Sequence, residues 1–288
     1  MKAIGISMPL PPPLPAHTVD GAFFAREAER LGFESVWCAE HIIAPVTVTK
    51  SQSAFFAGGQ VPGFQDPLIA LARASAVTRT IKLGTSVLLV PEHNPLHLAK
   101  QIASLDLYSG GRFLLGVGAG WLQEESEIMG VDFPHRWSQA IEAVRVMKEL
   151  WTKDAAEFHG KYYDFPPVRC YPKPAQKPHP PVLFGGVAPT VEKRVVAHGD
   201  GWAPERITPE ELKRRLVGLH ALAREAGRDP GAIQISIHGK KPEKDIVSSY
   251  LEAGANRVVV SAPIVSSEKE CLAHLENIAR SILPLVRR

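Results

Sequence analysis

The feature that most constrains this chain is a switch of hydrophobic period that recurs along its whole length. A short apolar run is followed by a longer stretch with helical spacing, and the pair repeats eight times. The runs cover residues 3–8, 35–39, 81–89, 113–117, 182–184, 201–203, 233–238 and 257–261. Several are near-continuous in Val, Ile and Leu, which suits parallel strands buried on both faces. The helical stretches carry their own punctuation. The stretch 19–31 stops at Gly32, a residue that tolerates left-handed geometry. Asp66-Pro67 and Asn94-Pro95 each set a capping side chain before a proline at the first helical position, opening helices that run to Val77 and Tyr108. Further helical patterns cover 136–151, 189–198, 208–226, 243–253 and 268–286.

Repeated βα units select an α/β fold. An open doubly wound sheet is the alternative, but it expects a GxGxxG turn after the first strand. This chain has a proline-rich segment there, at 9–15. Eight units in 288 residues fit a (β/α)8 TIM barrel, which typically takes about 250 residues. The expectation is one domain, 1–288, with insertions after strand 2 (42–65) and before strand 5 (154–181). The first insertion, rich in Gly and Phe, has the length and composition of a lid or binding loop. The second is proline-dense and reads as a surface excursion.

Charge and cysteines narrow the function classes. The net charge is +3 with a pI near 8.7, and Lys and Arg are scattered. The densest run, Lys240, Lys241 and Lys244, is broken by Pro242 and Glu243. A nucleic-acid partner would call for a basic stripe, and none is present. Cys38, Cys170 and Cys271 are far apart, without CxxC spacing, so neither a zinc site nor a disulfide framework is expected. No apolar stretch reaches the ~20 residues that span a membrane, and the N-terminal run ends at Pro9, too soon for a signal peptide. The reading is a cytoplasmic protein with reduced thiols, no metal and no membrane partner.

In a barrel the chemistry sits on the loops after the strands. Strand 2 ends at Glu40-His41, and a histidine beside a carboxylate can exchange a proton near neutral pH. Strand 3 contains Gly84-Thr85-Ser86-Val87, small residues that suit either a bulge and a close ligand or a tightly packed barrel layer. Strand 4 ends at Gly116-Val117-Gly118-Ala119-Gly120-Trp121. This is GxGxG, so it admits a flat ligand near the backbone or a sharp turn, and it is no dinucleotide fingerprint. Strand 5 ends at Gly185-Gly186-Val187-Ala188 before a helix, an arrangement that offers backbone N–H groups to a phosphate. HExxH, Walker and GxSxG motifs are absent, so hydrolase and kinase readings have no support.

Taken in order, these passages resemble the bacterial luciferase-like oxidoreductases, and most closely their branch dependent on coenzyme F420. The resemblance runs through Gly32-Phe33-Glu34-Ser35-Val36-Trp37, Glu40-His41, 81–87, Gly110-Gly111-Arg112-Phe113, 116–121, Phe184-Gly185-Gly186 and Gly199-Asp200-Gly201-Trp202. It implies that His41 is the active-site histidine beside the cofactor ring, with Glu40 as its acidic neighbour. It implies a non-proline cis peptide at Ser86-Val87 supporting one ring face, with Gly118, Ala119, Gly120 and Trp121 flanking the site. Gly185, Gly186 and Val187 would hold the cofactor phosphate. Two departures matter. Many relatives carry Asp where this chain has Glu40, and the deazaflavin sugar-phosphate dehydrogenases carry a catalytic Glu at the position of Trp121, which argues against sugar-phosphate oxidation here.

The implied activity is hydride transfer between the deazaflavin of F420 and a small organic substrate. An FMN-dependent monooxygenase of the same fold is the alternative, and a ligand-binding barrel without catalysis a second one. Lys50, Arg136 and Arg206 are the candidate cations for the acidic tail of F420. The resemblance also implies a homodimer.

Overall fold

The computed structural model describes residues 2–9, 19–50 and 63–286. Eight parallel strand positions close into a barrel. They are β1 (Ala3–Ser7), β2 (Ser35–Cys38), β3 (Lys82–Thr85) continued by β4 (Leu88–Leu89), β5 (Phe113–Gly118), β8 (Val182–Gly185), β9 (Gly201–Ala203), β10 (Gln234–Lys240) and β11 (Arg257–Val260). Each pairs in parallel with its neighbours, and β1 pairs with β11. Between β2 and β5 the barrel is completed by both halves of the third position. β3 meets β5 at Leu83–Phe113 and Gly84–Leu114, and β4 meets it at Leu88–Val117 and Leu89–Gly118.

Helices follow the strands: α1 (Gly21–Leu31), α2 (Pro67–Val77), α3 (Pro95–Tyr108), α4 (Gln123–Ile128), α5 (Arg136–Thr152), α6 (Val191–His198), α7 (Pro209–Glu225), α8 (Lys244–Glu252) and α9 (Glu268–Ile282). The expected caps are in place. Asp66 accepts the Ile69 N–H, Asn94 accepts those of Leu96 and His97, and Gly32 ends α1 at a φ of 98°.

The period-2 alternation of the strands divides the core. Trp37, Leu114, Leu183, Ala203 and Val259 form a small cluster distinct from the main one, which gathers Ile4, Ile6, Val36, Leu83 and Leu115 with the buried faces of the helices. Trp37 demands room. A methyl group on Gly84 would sit 2.2 Å from its ring, and one on Gly5 would sit 2.8 Å from Nε1. Both readings of the passage 84–87 hold in part: Gly84 sits in a packed barrel layer, and the bulge follows at Ser86-Val87.

Two expectations need correction. The run 81–89 is not one continuous strand: the cis Ser86-Val87 peptide, which the resemblance implied, is present and divides it into β3 and β4. The stretch 154–181 is more than an excursion, because it contains an antiparallel hairpin of β6 (Ala156–His159) and β7 (Asp164–Val168). Phe158 and Phe165 of the hairpin are buried. Its turn is held from α5 by Glu142, whose carboxylate accepts the N–H groups of Lys161, Tyr162 and Tyr163 at 3.2, 2.6 and 2.9 Å. The proline-rich segment 10–15 and most of the expected lid, 51–62, lie outside the described residues. Among the described residues no helix is long and apolar enough to cross a membrane, and no group of acids, histidines and cysteines is arranged to hold a metal.

Candidate active site

A cavity of about 460 Å³ opens at the C-terminal ends of the strands. Most of its wall is apolar, with Met8, Trp37, Phe64, Leu89, Trp121 and Ile264 among its residues. Polar groups are interspersed through it, Glu40, His41, Ser86, His238, Glu205 and Arg206 among them. An apolar pocket with a few placed polar groups is the usual form of a small-molecule site.

His41 stands just past β2. Its ring meets Phe64 edge-on at 4.8 Å between centroids and Trp121 at 5.5 Å. Its carboxylate partner is not its neighbour Glu40. Nδ1 lies 2.5 Å from Oε2 of Glu125, a fully buried residue of α4. Oε1 of Glu125 accepts the N–H groups of Ile42 and Ile43 at 2.7 and 3.2 Å. Glu124 of the same helix accepts those of Thr49 and Lys50 at 2.6 and 2.5 Å. α4 therefore anchors the segment leaving β2 through two consecutive carboxylates.

Glu40 turns the other way. One oxygen accepts the Leu89 N–H at 2.6 Å, and both lie 3.1 Å from Nε2 of His93. His93 is pulled down by burial, but the hydrogen bond and charge of Glu40 outweigh this and raise it. The sequence thus paired Glu40 with His41, whereas the fold forms two separate pairs, Glu40–His93 and Glu125–His41. Glu92 lies between them and takes a hydrogen bond from Ser126 at 2.8 Å. Burial, then the charges of Glu125 and Glu40, push Glu92 up to about 7.

Val87 forms a ledge in the cavity wall, and the glycines of the motifs make its seat. A methyl on Gly116 would sit 2.0 Å from the Thr85 carbonyl oxygen, and one on Gly118 would sit 2.4 Å from Val87 Cγ2. On Gly185 it would sit 3.1 Å from Val87 Cγ1. Gly118 and Ala119 are buried and do not line the cavity, so the glycines of strand 4 clear the bulge rather than border a ligand. Gly120, at a φ of 80°, makes the turn into α4, where its carbonyl accepts from Arg136 at 2.9 Å. Of residues 118–121, Trp121 alone lines the cavity.

His238, near the end of β10, was not anticipated. Its Nδ1 lies 2.7 Å from the Ser86 hydroxyl, and its ring meets Trp37 edge-on at 4.7 Å. Nε2 has no hydrogen-bond partner among the described residues. Burial first, then the charges of Arg257 and Lys240, push it down to about 3, so the ring is neutral at physiological pH. The signal was present in the sequence, since His238 closes the seventh apolar run as His41 follows the second.

The turn Gly185, Gly186 and Val187 does not line the cavity but adjoins it behind Val87. Its carbonyls are tied back: Trp202 Nε1 donates to Gly186 at 2.9 Å, and Arg215 donates to Val187 and Ala188 at 2.8 and 3.1 Å. The following helix, α6, has no side-chain cap from Thr190. Of the candidate cations, Arg206 lines the cavity, Lys50 pairs with Glu127, and Arg136 is spent on the carbonyls of Gly120 and Phe133.

The luciferase-like monooxygenase family model matches residues 17–240. The chain belongs to this family. An uncharacterised protein of Mycobacterium tuberculosis is 35% identical over 268 residues, 90% of this chain and 92% of its own. A protein of Kineococcus radiotolerans named F420-dependent glucose-6-phosphate dehydrogenase is 34% identical over 226 residues, 75% of this chain and 63% of its own. In structure, the monooxygenase RslO1 of Streptomyces bottropensis superimposes with a TM-score of 0.80 over the full length of both chains, at 21% identity. Members of the family are oxidoreductases and monooxygenases; the Kineococcus relative is named for F420, and a structural neighbour at 17% identity with a TM-score of 0.77, a Baeyer-Villiger monooxygenase constituent of Pseudomonas putida, was solved with FMN.

Proposed function

We propose that this luciferase-like oxidoreductase uses coenzyme F420 and moves a hydride between its deazaflavin ring and a small, largely apolar substrate such as a carbonyl compound or an alkene. The observation that carries the reading is the cavity itself: an apolar wall around a Val87 ledge, with one histidine from the second strand position and one from the seventh. The residues present fit a flat tricyclic ring. Nε2 of His238 is a buried polar atom without a partner among the described residues, and such an atom costs about 1–3 kcal/mol unless a ligand or water satisfies it. A ring carbonyl or ring nitrogen over Val87 would meet that need.

Bound deazaflavin supplies two-electron hydride chemistry, and the protein supplies position and field. In this reading Val87 would support one ring face, and neutral His238 and Ser86 would hold its polar edge. Gly185, Gly186 and Val187, ahead of the uncapped α6, would receive the phosphate, where helix dipole and backbone donors favour an anion. Arg206, which lines the cavity, would meet the acidic tail. His41 holds or moves the proton that accompanies hydride transfer, and Trp121 and Phe64 exclude water beside it. Trp121 stands where a sugar-phosphate enzyme would need an acid, and the apolar wall supports the same exclusion.

Titration of the purified protein with F420 and, separately, with FMN tests the reading by fluorescence. Micromolar affinity for F420 with none for FMN is the expected result. The reverse would favour an FMN-dependent monooxygenase, and affinity for neither would leave a barrel without this chemistry. His41→Ala is expected to keep cofactor affinity and to lose turnover by about 10²–10⁴-fold, the range for a proton-transfer group. Wild-type turnover in that variant would remove His41 from the mechanism.

A further inference from the structure

We propose that Glu125 is the positioning residue of the site: it fixes His41 in the tautomer protonated at Nδ1 and so makes Nε2 the atom that takes up or releases the proton. The inference rests on the proposed function only for the purpose of that proton, because the pairing is a property of the protein alone.

A carboxylate only accepts hydrogen bonds. Oε1 of Glu125 is committed to two backbone donors, Ile42 and Ile43. Oε2 faces Nδ1 of His41 at 2.5 Å, at a side chain that is 1% exposed. With both oxygens placed as acceptors, the hydrogen of the contact belongs to Nδ1. A second nitrogen made donor or acceptor by its partner is how histidine tautomers are set. The same carboxylate pins the backbone of residues 42 and 43, directly after His41, so the ring and its own chain are held by one group. The aromatic edges of Phe64 and Trp121 limit the remaining rotation.

Other titratable groups surround the pair. Glu92 is next to Glu125 on the inner side, bonded to Ser126, and the Glu40–His93 pair lies beyond it. Each of these has its own partner, and the carboxylate that faces Nδ1 of His41 is that of Glu125.

The substitution Glu125→Gln separates positioning from mere support. A glutamine has one acceptor oxygen, and two backbone N–H groups compete for it against one ring nitrogen. Satisfying the two amides turns the NH₂ toward Nδ1, which must then accept, and the ring hydrogen moves to Nε2. The test is ¹⁵N NMR of histidine-labelled protein without cofactor, with His41 assigned by its absence in His41→Gln. Neutral His41 is expected to be protonated at Nδ1 in the wild type and at Nε2 in Glu125→Gln. In turnover, Glu125→Gln is expected to lower kcat by about 10²–10⁴-fold, with cofactor affinity within about twofold of wild type and an altered kcat–pH profile. Protonation at Nε2 in the wild type would overturn the proposal on its own, even where the variant fails to fold. An unchanged tautomer or an unchanged pH profile in a folded variant would overturn it too. Failure to bind any flavin or deazaflavin would instead defeat the proposed function and leave the tautomer result standing.

Discussion

Glu92 is buried beside Glu125 and within the field of Glu40, with one carboxylate oxygen unpartnered among the described residues. Its ordinary value of 4.5 is raised to about 7 in the fold. The sign follows from proton counting. Between pH 4.5 and 7 the unfolded chain has released this proton and the folded chain keeps it, so stability falls as pH rises through that window. Glu92→Gln removes the penalty. At pH 8 the variant should be more stable than wild type by on the order of 1–3 kcal/mol, with the gain shrinking toward zero near pH 4.5. Urea denaturation at pH 4.5, 6 and 8 checks this, and a gain that did not grow with pH would show that Glu92 is not the group involved. The cluster also shows what was legible at this scale. His41 could be found because barrel chemistry follows strand ends. Its partner could not, because Glu125 is 84 residues away on a short polar helix, and adjacency in sequence favoured Glu40. Consecutive residues leaving a strand turn to different sides, and here the turn separates Glu40 from His41.

At the scale of elements, two glycine-to-alanine changes should have opposite signs. Gly116, in β5, has no room for a methyl group, since the nearest atom would be the backbone oxygen of Thr85 at 2.0 Å. Gly116→Ala must displace the Val87 bulge, and overpacking of this kind costs about 1–3 kcal/mol. It should also weaken cofactor binding, because the ledge moves. Gly218 lies inside α7, exposed, with nothing within 4 Å of a new methyl. Gly218→Ala should stabilise by about 0.5–1 kcal/mol through helix propensity, with binding unchanged. Thermal melts with and without cofactor measure both, and equal effects at the two sites would refute the bulge-seat account of Gly116. The barrel units were readable because a run of buried apolar residues and a 3.6-residue period are different patterns. The break in the third strand was legible only through the family resemblance, which implied the cis peptide at Ser86-Val87, since by pattern Ser86 and Val87 are ordinary strand residues. The β6–β7 hairpin, whose second strand contains Pro166 and Pro167, was not legible, nor was α4, whose six residues are too few and too polar to show a period.

Across the whole molecule, stability and chemistry sit at opposite ends of the barrel. The cavity is at the C-terminal ends of the strands, where barrel function is placed, while the N-terminal ends carry a charged clamp. Arg257, at the start of β11, holds both oxygens of Glu34 at 2.7 Å and the Ser236 hydroxyl of β10 at 2.8 Å. Lys82, opening β3, reaches Glu34 at 2.9 Å, and the Glu34 N–H donates to Ile4 of β1. One carboxylate before β2 thus links the strands on both sides of it. Burial pushes Glu34 up, but the bonds and charge of Arg257, with those of Lys82, outweigh it and hold Glu34 at about 2, against an ordinary 4.5. A depressed carboxylate stabilises the fold above its unfolded value, and that contribution is lost as pH falls through the folded one. Glu34→Gln should therefore cost about 1–3 kcal/mol at pH 7, less than a fully buried pair because Glu34 is partly exposed. The deficit should narrow below pH 4.5 and nearly close by pH 2, where wild-type Glu34 is itself becoming neutral. Cofactor affinity should not change, because the clamp lies across the barrel from the cavity. Denaturation curves at pH 7, 4 and 2.5, beside a cofactor titration, measure both halves of the claim. A deficit independent of pH would mean that Glu34 contributes shape rather than charge, and a loss of affinity would mean that the two ends of the barrel are coupled.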